Sequence, residues 1–192
     1  MFDEGVSRPL EHVTTQELVG EYRSGGLRAL SSLYRYRTTQ LISDPFGYGA
    51  VQARGVETEL EWQWEGWRVR GSYAWQHARA TSGVVMVQSP DRVGKLQVSA
   101  PLGGERWRLS LSARTTGQLS MPGEDDGRIA MPATAVLDLT LVARSLVPGV
   151  DVRWGVRNAA GSTTQAMRQF DAQPGGASMA RQWWCDLVWS LR

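Results

Sequence analysis

Between residues 56 and 75 the side chains alternate between apolar and charged types with a period of two. One parity of 56–64 carries valine, threonine, leucine and two tryptophans, and the other carries three glutamates and a glutamine. After Glu65-Gly66 the alternation resumes through residue 75, now with arginines on the polar parity. Successive side chains of a β-strand point to opposite faces. The stretch therefore predicts a hairpin with one aromatic face and one charged face, in which Glu61 lies opposite Arg70.

Read in the same way, the whole chain predicts an all-β fold of about nine antiparallel strands. No helical period is sustained, and glycine and proline interrupt the sequence often. The predicted strands are 14–23, 27–43, 54–64, 67–78, 94–102, 106–118, 133–146, 150–158 and 179–191. Residues 1–13 are predicted to be a loop, and 14–192 the folded part. The second strand keeps no single apolar parity, which predicts a β-bulge there.

The connections between the predicted strands alternate between short and long. Tight turns at 24–26, 65–66, 103–105 and 147–149 are separated by longer segments at 44–53, 79–93, 119–132 and 159–178. All short turns then fall at one end of an up-and-down sheet and all long loops at the other. Bacterial outer-membrane barrels have this asymmetry, with short periplasmic turns and long extracellular loops.

The two faces of the predicted strands differ in charge. In the last seven strands the apolar parity carries no charged residue over the spans Val56 to Trp64, Trp67 to Trp75, Leu96 to Leu102, Trp107 to Ala113, Ala135 to Ala143, Val150 to Val156 and Trp183 to Leu191. Eight of the nine tryptophans lie on this parity, Trp184 being the exception. A charge on a lipid-facing position costs about 2–4 kcal/mol at the membrane midplane. A soluble β-sandwich would also alternate, but tryptophans beside the tight turns are typical of the aromatic girdle of a membrane barrel. The pattern favours a transmembrane barrel wall over a soluble core.

Composition excludes several other classes of protein. The net charge is only +2 and the 21 lysines and arginines are scattered, so nothing indicates nucleic-acid binding. A single cysteine, Cys185, excludes an internal disulfide, and its parity indicates a small hydrophobic residue rather than a reactive thiol. The two histidines, His12 and His77, are too far apart in sequence for a metal site. No stretch is long and apolar enough for a spanning helix or a signal peptide.

Short motifs in a fixed order resemble those of one known family. They are Thr15-Gln-Glu17 to Tyr22 with Leu33-Tyr-Arg-Tyr36, Ala53-Arg-Gly55-Val-Glu57-Thr-Glu59, Gly71-Ser-Tyr73, Ser89-Pro90 to Lys95-Leu96 with Ala100-Pro-Leu102, and Val156-Arg-Asn158. The set resembles the C-terminal part of the barrel of TonB-dependent receptors. The sequence departs from that pattern after Asn158 and at its last residue, Arg192.

The resemblance implies an outer-membrane barrel of about twenty-two strands closed by an N-terminal plug. It also implies a small chelate ligand, such as a ferric siderophore or cobalamin, and the TonB energy-coupling protein as a partner of the whole receptor. Nine strands without a plug or signal peptide lead us to expect a partial barrel, a fragment that does not transport alone. Alternatives are a complete small barrel, acting as a pore or adhesin, and a soluble β-sandwich binding module.

Candidate functional residues are few, and none indicates catalysis, a cofactor or a resident metal. Serines occur without a nucleophile motif or a histidine–carboxylate pair. Glu124-Asp125-Asp126 lacks the spacing of a calcium loop and is predicted to be a solvated loop tip. The polar side chains Glu57, Glu59, Glu61, Arg68 and Arg70 are interpreted as a lumen wall paired with itself, with contact to a ligand or plug as the alternative. Phe46, Gly47 and Tyr48 fall in a predicted extracellular loop where ligand recognition occurs, but no single ligand-binding residue can be assigned.

Overall fold

The structure, a computed structural model, describes residues 10–41, 44, 47–84, 86, 87, 89–104, 106–122, 128–161 and 180–190. Nine strands form one antiparallel sheet in chain order, and β7 and β8 form a separate small hairpin. The strands are β1 His12–Ser24, β2 Leu27–Thr39, β3 Ala50–Trp64, β4 Trp67–Ala80, β5 Arg92–Pro101, β6 Trp107–Thr116, β7 Leu119–Pro122, β8 Arg128–Met131, β9 Thr134–Val147, β10 Val150–Arg157 and β11 Gln182–Trp189. The all-β prediction and the nine-strand, up-and-down order are confirmed.

Short and long connections alternate along the sheet as predicted, so the sheet has a turn end and a loop end. At the turn end, Glu65 and Gly66 both adopt positive φ (43° and 83°), the conformation of the two-residue turn that matches strand twist. At the loop end, the predicted loop 119–132 contains the β7–β8 hairpin. Each of these strands has four residues, too few for alternation to reveal them in the sequence.

Pairing register assigns every strand residue to a face, because residues opposite each other in antiparallel strands share a face. Trp64 pairs with Trp67, and Glu61 pairs with Arg70. The apolar parities of 56–64 and 67–75 continue in register through β5, β6, β9, β10 and β11. One face, here called the apolar face, therefore carries the aromatic and aliphatic side chains, and the opposite one is the polar face.

The bulge predicted in β2 is wrong. Residues 27–39 pair without a register shift both with β1 and with β3. The parity of this strand looked broken because Leu30, Tyr34 and Tyr36 lie on the polar face, where Leu30 pairs with Glu59 and the two tyrosines pair with Gly55 and Ala53. The register shift occurs instead between β9 and β10, where Ser145 has a positive φ of 48° and its N–H donates to the Asp151 carboxylate at 2.9 Å.

No layer covers either face of the sheet within the described part of the chain. None of its large side chains is fully buried, and the buried apolar residues are mainly alanine and valine. On the apolar face, by contrast, Trp183 and Trp189 are 77% and 72% exposed. Among the described residues there is no helix long and apolar enough to cross a membrane. A sheet of this kind must bury its apolar face against something outside these residues.

The apolar face has aromatic side chains near both ends. Trp62 and Trp64 stack at the turn end with ring centroids 6.1 Å apart, and Trp107 stacks on Trp154 at 6.2 Å. Trp75 lies eight residues from Trp67 in β4, about 27 Å along the strand. With the roughly 40° strand tilt of outer-membrane barrels this gives a band about 21 Å high, close to the ~25 Å apolar band of such barrels.

Candidate functional site

The polar face of β3 carries three carboxylates in a line, which the strand places about 7 Å apart. Glu61 forms an ion pair with Arg70, with 3.0 Å between Glu61 Oε1 and Arg70 Nε, as its cross-strand position predicts. Glu57 and Glu59 lie between neutral residues of β2 and β4, and no cation of the described ranges lies within 4 Å of either carboxylate. The predicted self-paired wall thus holds for Glu61 and not for its two neighbours.

Other charges on the polar face are paired nearer the turn end and towards β9. Glu21 pairs with Arg23 and with Arg28, each at 2.7 Å, and Arg114 approaches Asp138 at 3.6 Å. These groups are solvent-accessible, so the pairs contribute little to the stability of the sheet. These ion pairs balance charge on a hydrated surface and do not hold the sheet together.

Tyr34 covers Gly55 on the polar face and joins two of the sequence motifs. The two residues are cross-strand partners, and a Cβ built on Gly55 would lie 2.5 Å from both the Tyr34 hydroxyl and the Trp75 carbonyl oxygen. Tyr36 stacks on Tyr34 with ring centroids 6.3 Å apart. An aromatic ring laid over a strand glycine fixes register between neighbouring strands. The sequence showed both motifs but gave no sign of this contact.

Replacing Gly55 with alanine is expected to destabilise the sheet by about 1–3 kcal/mol, since the new methyl group displaces a backbone carbonyl and the Tyr34 ring. Gly71→Ala is the matched control, because a Cβ there meets nothing nearer than 3.8 Å. The measurement is the urea midpoint of the chain in lipid vesicles, which should fall for Gly55→Ala only. Equal midpoints for the two variants would show that the Tyr34–Gly55 contact has no energetic role.

At the loop end, Tyr48 ties two connections together. The Asp44 carboxylate accepts from the N–H groups of Tyr48 and Gly49, each at 2.7 Å. The Val87 N–H donates to the Tyr48 hydroxyl at 3.2 Å. The described parts of the β2–β3 and β4–β5 loops therefore form one surface at the mouth of the sheet. Phe46, the third candidate of this loop, lies outside the described residues.

The remaining candidates do not assemble a chemical site. Glu124-Asp125-Asp126 lies outside the described residues. His12 lies at the end of β1, and His77 accepts a hydrogen bond from Arg79. In the ranges that the structure covers, no three metal-binding side chains come together. Cys185 lies on the apolar face opposite Trp154, as its parity predicted.

At the loop end, the pKa of the Asp91 carboxyl is lowered by its neighbour Arg92. The Arg92 guanidinium donates to Asp91 at 2.9 Å and holds the pKa of that carboxyl below its usual value. Both groups are exposed, so this pairing is a local feature of the β4–β5 loop. It carries no indication of acid–base chemistry, which needs a group poised near neutral pH.

Comparison with known proteins places this geometry in a family. A family model described as "TonB dependent receptor-like, beta-barrel" matches residues 8–159. Comparison with curated protein sequences found no match.

Several solved receptor structures share the fold. The ferric-catecholate import receptor Fiu of E. coli superposes with a TM-score of 0.71 at 17% identity, covering 92% of this chain and 26% of that one. The ferric yersiniabactin uptake receptor FyuA of Yersinia pestis gives 0.67 at 16% identity, covering 92% and 28%. The pyoverdine receptor FpvA of Pseudomonas aeruginosa gives 0.71 at 15% identity, covering 94% and 30%. The chain thus spans less than a third of each of these receptors.

Proposed function

Since the chain belongs to the family of TonB-dependent receptor β-barrels, we propose that it forms part of the barrel wall of an outer-membrane receptor for active uptake of a scarce chelate. The resemblance found in its motifs is confirmed by the family match. Members of this family are receptors and transporters, not enzymes. The whole receptor takes up a ferric siderophore, cobalamin or a similar complex, and this chain does not transport it alone.

The observation that carries the proposal is the uncovered apolar face. Its exposed leucine, valine and tryptophan side chains form a band of about the height of a bilayer core, with aromatic residues near both edges. The described residues form a single main sheet, whereas a soluble β-sandwich needs a second sheet packed on this face. The hydrocarbon interior of a membrane can cover this apolar face without a second layer of protein.

The polar face is proposed to line the water-filled interior, where the plug domain sits in the complete receptor. Among the described residues no cation lies within 4 Å of the Glu57 or Glu59 carboxylate, so both are proposed to pair with basic groups of a plug or of a passing ligand. Glu61 and Arg70 already pair with each other. We therefore expect plug contacts at the first two glutamates rather than at the ion pair.

The class of ligand is inferred from the fold neighbours. Fiu is a receptor for ferric catecholates, FyuA for ferric yersiniabactin and FpvA for pyoverdine, while OprC is a copper transporter. All of these names concern metals or their chelates. Gly47 and Tyr48 lie at the loop end and are proposed to face such a ligand from outside, because extracellular loops form the mouth of these receptors.

Genomic DNA upstream of the Met1 codon tests the proposal. A receptor of this class has about twenty-two strands and a plugged lumen, so that DNA is expected to encode a plug and about thirteen further strands. Finding no plug-encoding sequence in any frame there would favour the small complete barrel over the receptor. Heat-modifiable migration of the chain after refolding would then support the small barrel directly.

A further inference from the structure

Three rows of side chains cross the apolar face of β1–β4 near the loop end, each row formed by residues that pair in register. The first row is apolar: Leu18, Leu33, Val56 and Trp75. The next row is Gln16, Arg35, Arg54 and His77. The last is Thr14, Arg37, Gln52 and Arg79. Rows are about 7 Å apart, so the face changes from apolar to polar within one step on all four strands, and β2, β3 and β4 carry arginine there.

The two polar rows contain four arginines, here called the arginine patch: Arg35, Arg37, Arg54 and Arg79. These side chains are exposed and line an open hollow of about 560 Å³ together with Gln16, Gln52 and His77. Strand spacing and residue rise confine the patch to roughly 10 by 7 Å. The sequence had hidden it, because β2 could not be given a parity and Arg35 and Arg37 could not be assigned to the lipid side.

No charge of the sheet balances the arginine patch. Arg35 lies directly opposite Arg54 on the same face, an arrangement that is unfavourable without a counter-anion. The Arg35 Nε donates to Gln16 Oε1 at 2.6 Å, and the Arg79 Nε donates to His77 Nε2 at 2.6 Å. Within the described ranges no carboxylate lies within 4 Å of any of the four guanidinium groups. Most of their N–H donors therefore face outward unused.

The height of the patch identifies the kind of anion that it meets. Trp75 closes the apolar band at the loop end, as interfacial aromatics do at the edge of the hydrocarbon. The arginines begin one row beyond, at the depth of lipid headgroups. Because the long loops of outer-membrane barrels are extracellular, this is the outer leaflet, whose lipid is a phosphorylated glycolipid.

We propose that the arginine patch binds the phosphate groups of lipopolysaccharide, with the acyl chains of the same molecule against Leu18, Leu33 and Val56. Guanidinium forks bind phosphate oxygens in pairs, and bound phosphate removes the repulsion between Arg35 and Arg54. A lipid can contact both parts of this surface, its phosphates the two polar rows and its acyl chains the apolar row beside them. Free phosphate can contact only the polar rows. The proposal rests on the outer-membrane placement given above.

The test compares lipid A carrying both phosphates with the same lipid A after their enzymatic removal. The full chain in detergent micelles is titrated with each lipid, and native mass spectrometry counts the bound molecules. Each arginine near an anionic surface contributes roughly fivefold, so Arg35→Gln with Arg54→Gln is expected to bind phosphorylated lipid A about thirtyfold more weakly. Arg153→Gln with Arg157→Gln, two arginines of the polar face, is the matched control and should bind like the unchanged chain.

Circular dichroism confirms that each variant keeps its strands, and Arg79→Gln alone, expected to lose about fivefold, replaces the double variant if that fails to fold. Equal affinity of the Arg35/Arg54 variant and the control overturns the proposal, as does equal binding of lipid A with and without phosphates. If inorganic phosphate displaces lipid A, the arginine patch is a site for free phosphate and the lipid proposal is wrong. Flotation with phosphatidylcholine vesicles tests the membrane placement separately from the phosphate site. If the chain floats but binds lipid A equally with and without phosphates, only the phosphate site is wrong. If the chain does not float, the membrane placement is wrong as well.

Discussion

Replacing Leu111 with arginine is expected to weaken partitioning of the chain into lipid vesicles by roughly 30- to 900-fold. Leu111 lies on the apolar face in the middle of β6, between Val98 and Leu139. A cation at such a depth on a lipid-facing position costs about 2–4 kcal/mol. The measurement is the fraction of chain that floats with phosphatidylcholine vesicles as urea is raised.

The neighbouring residue provides the control for this substitution. Ser112 is one residue along the same strand and faces the polar side beside Asp138. Ser112→Arg introduces the same side chain and is expected to leave partitioning within about threefold, because the new cation lies in water near a carboxylate. Equal losses for both arginine variants would mean that the two faces see the same environment, which a lipid-facing wall does not allow.

The chain by itself is expected not to form a closed monomeric barrel. Within the described residues β1 and β11 each pair on one side only, so two rows of backbone N–H and C=O groups stay open. Each unsatisfied group in hydrocarbon costs several kcal/mol, and β1 alone has 13 residues. Open edges are templates for pairing with other chains. In bilayers, copies of the chain should therefore associate edge to edge.

Gel electrophoresis with and without boiling measures closure. A closed barrel resists detergent and migrates faster unboiled, whereas this chain should give no faster monomer band and should instead yield cross-linked multimers in vesicles. A bacterial barrel with an even number of strands, refolded in parallel, shows that the conditions permit closure. A heat-modifiable monomer of the 192-residue chain would contradict the partial-barrel account and support a small complete barrel.

Alternation and turn chemistry were enough to predict most of the wall. The hairpin around Glu65-Gly66 was predictable to the residue, because a two-residue turn and a strict period of two leave a single register. The alternation of short and long connections then fixed the strand order. These features are local, and the structure reproduces them.

Contacts between strands that are distant in sequence were not predictable. Tyr34 over Gly55 and the opposition of Arg35 to Arg54 both depend on the β2–β3 register across a long loop. Without that register the mixed pattern of β2 indicated a bulge, and its outward arginines could not be recognised. The β7–β8 hairpin was missed for a different reason, since four-residue strands carry no measurable period.

Site-directed spin labelling of residues 107–113 in vesicles is the most direct test of the two-faced wall. Each position is replaced by cysteine in a Cys185→Ser background, and the nitroxide is exposed to lipid-soluble oxygen or to a water-soluble nickel chelate. A wall with lipid on one face and water on the other predicts strict alternation, with Leu109 and Leu111 accessible to oxygen and Arg108, Ser110 and Ser112 accessible to nickel. Labels on the leucine parity that meet neither reagent would reveal a buried protein core there, and the membrane-wall account would be wrong.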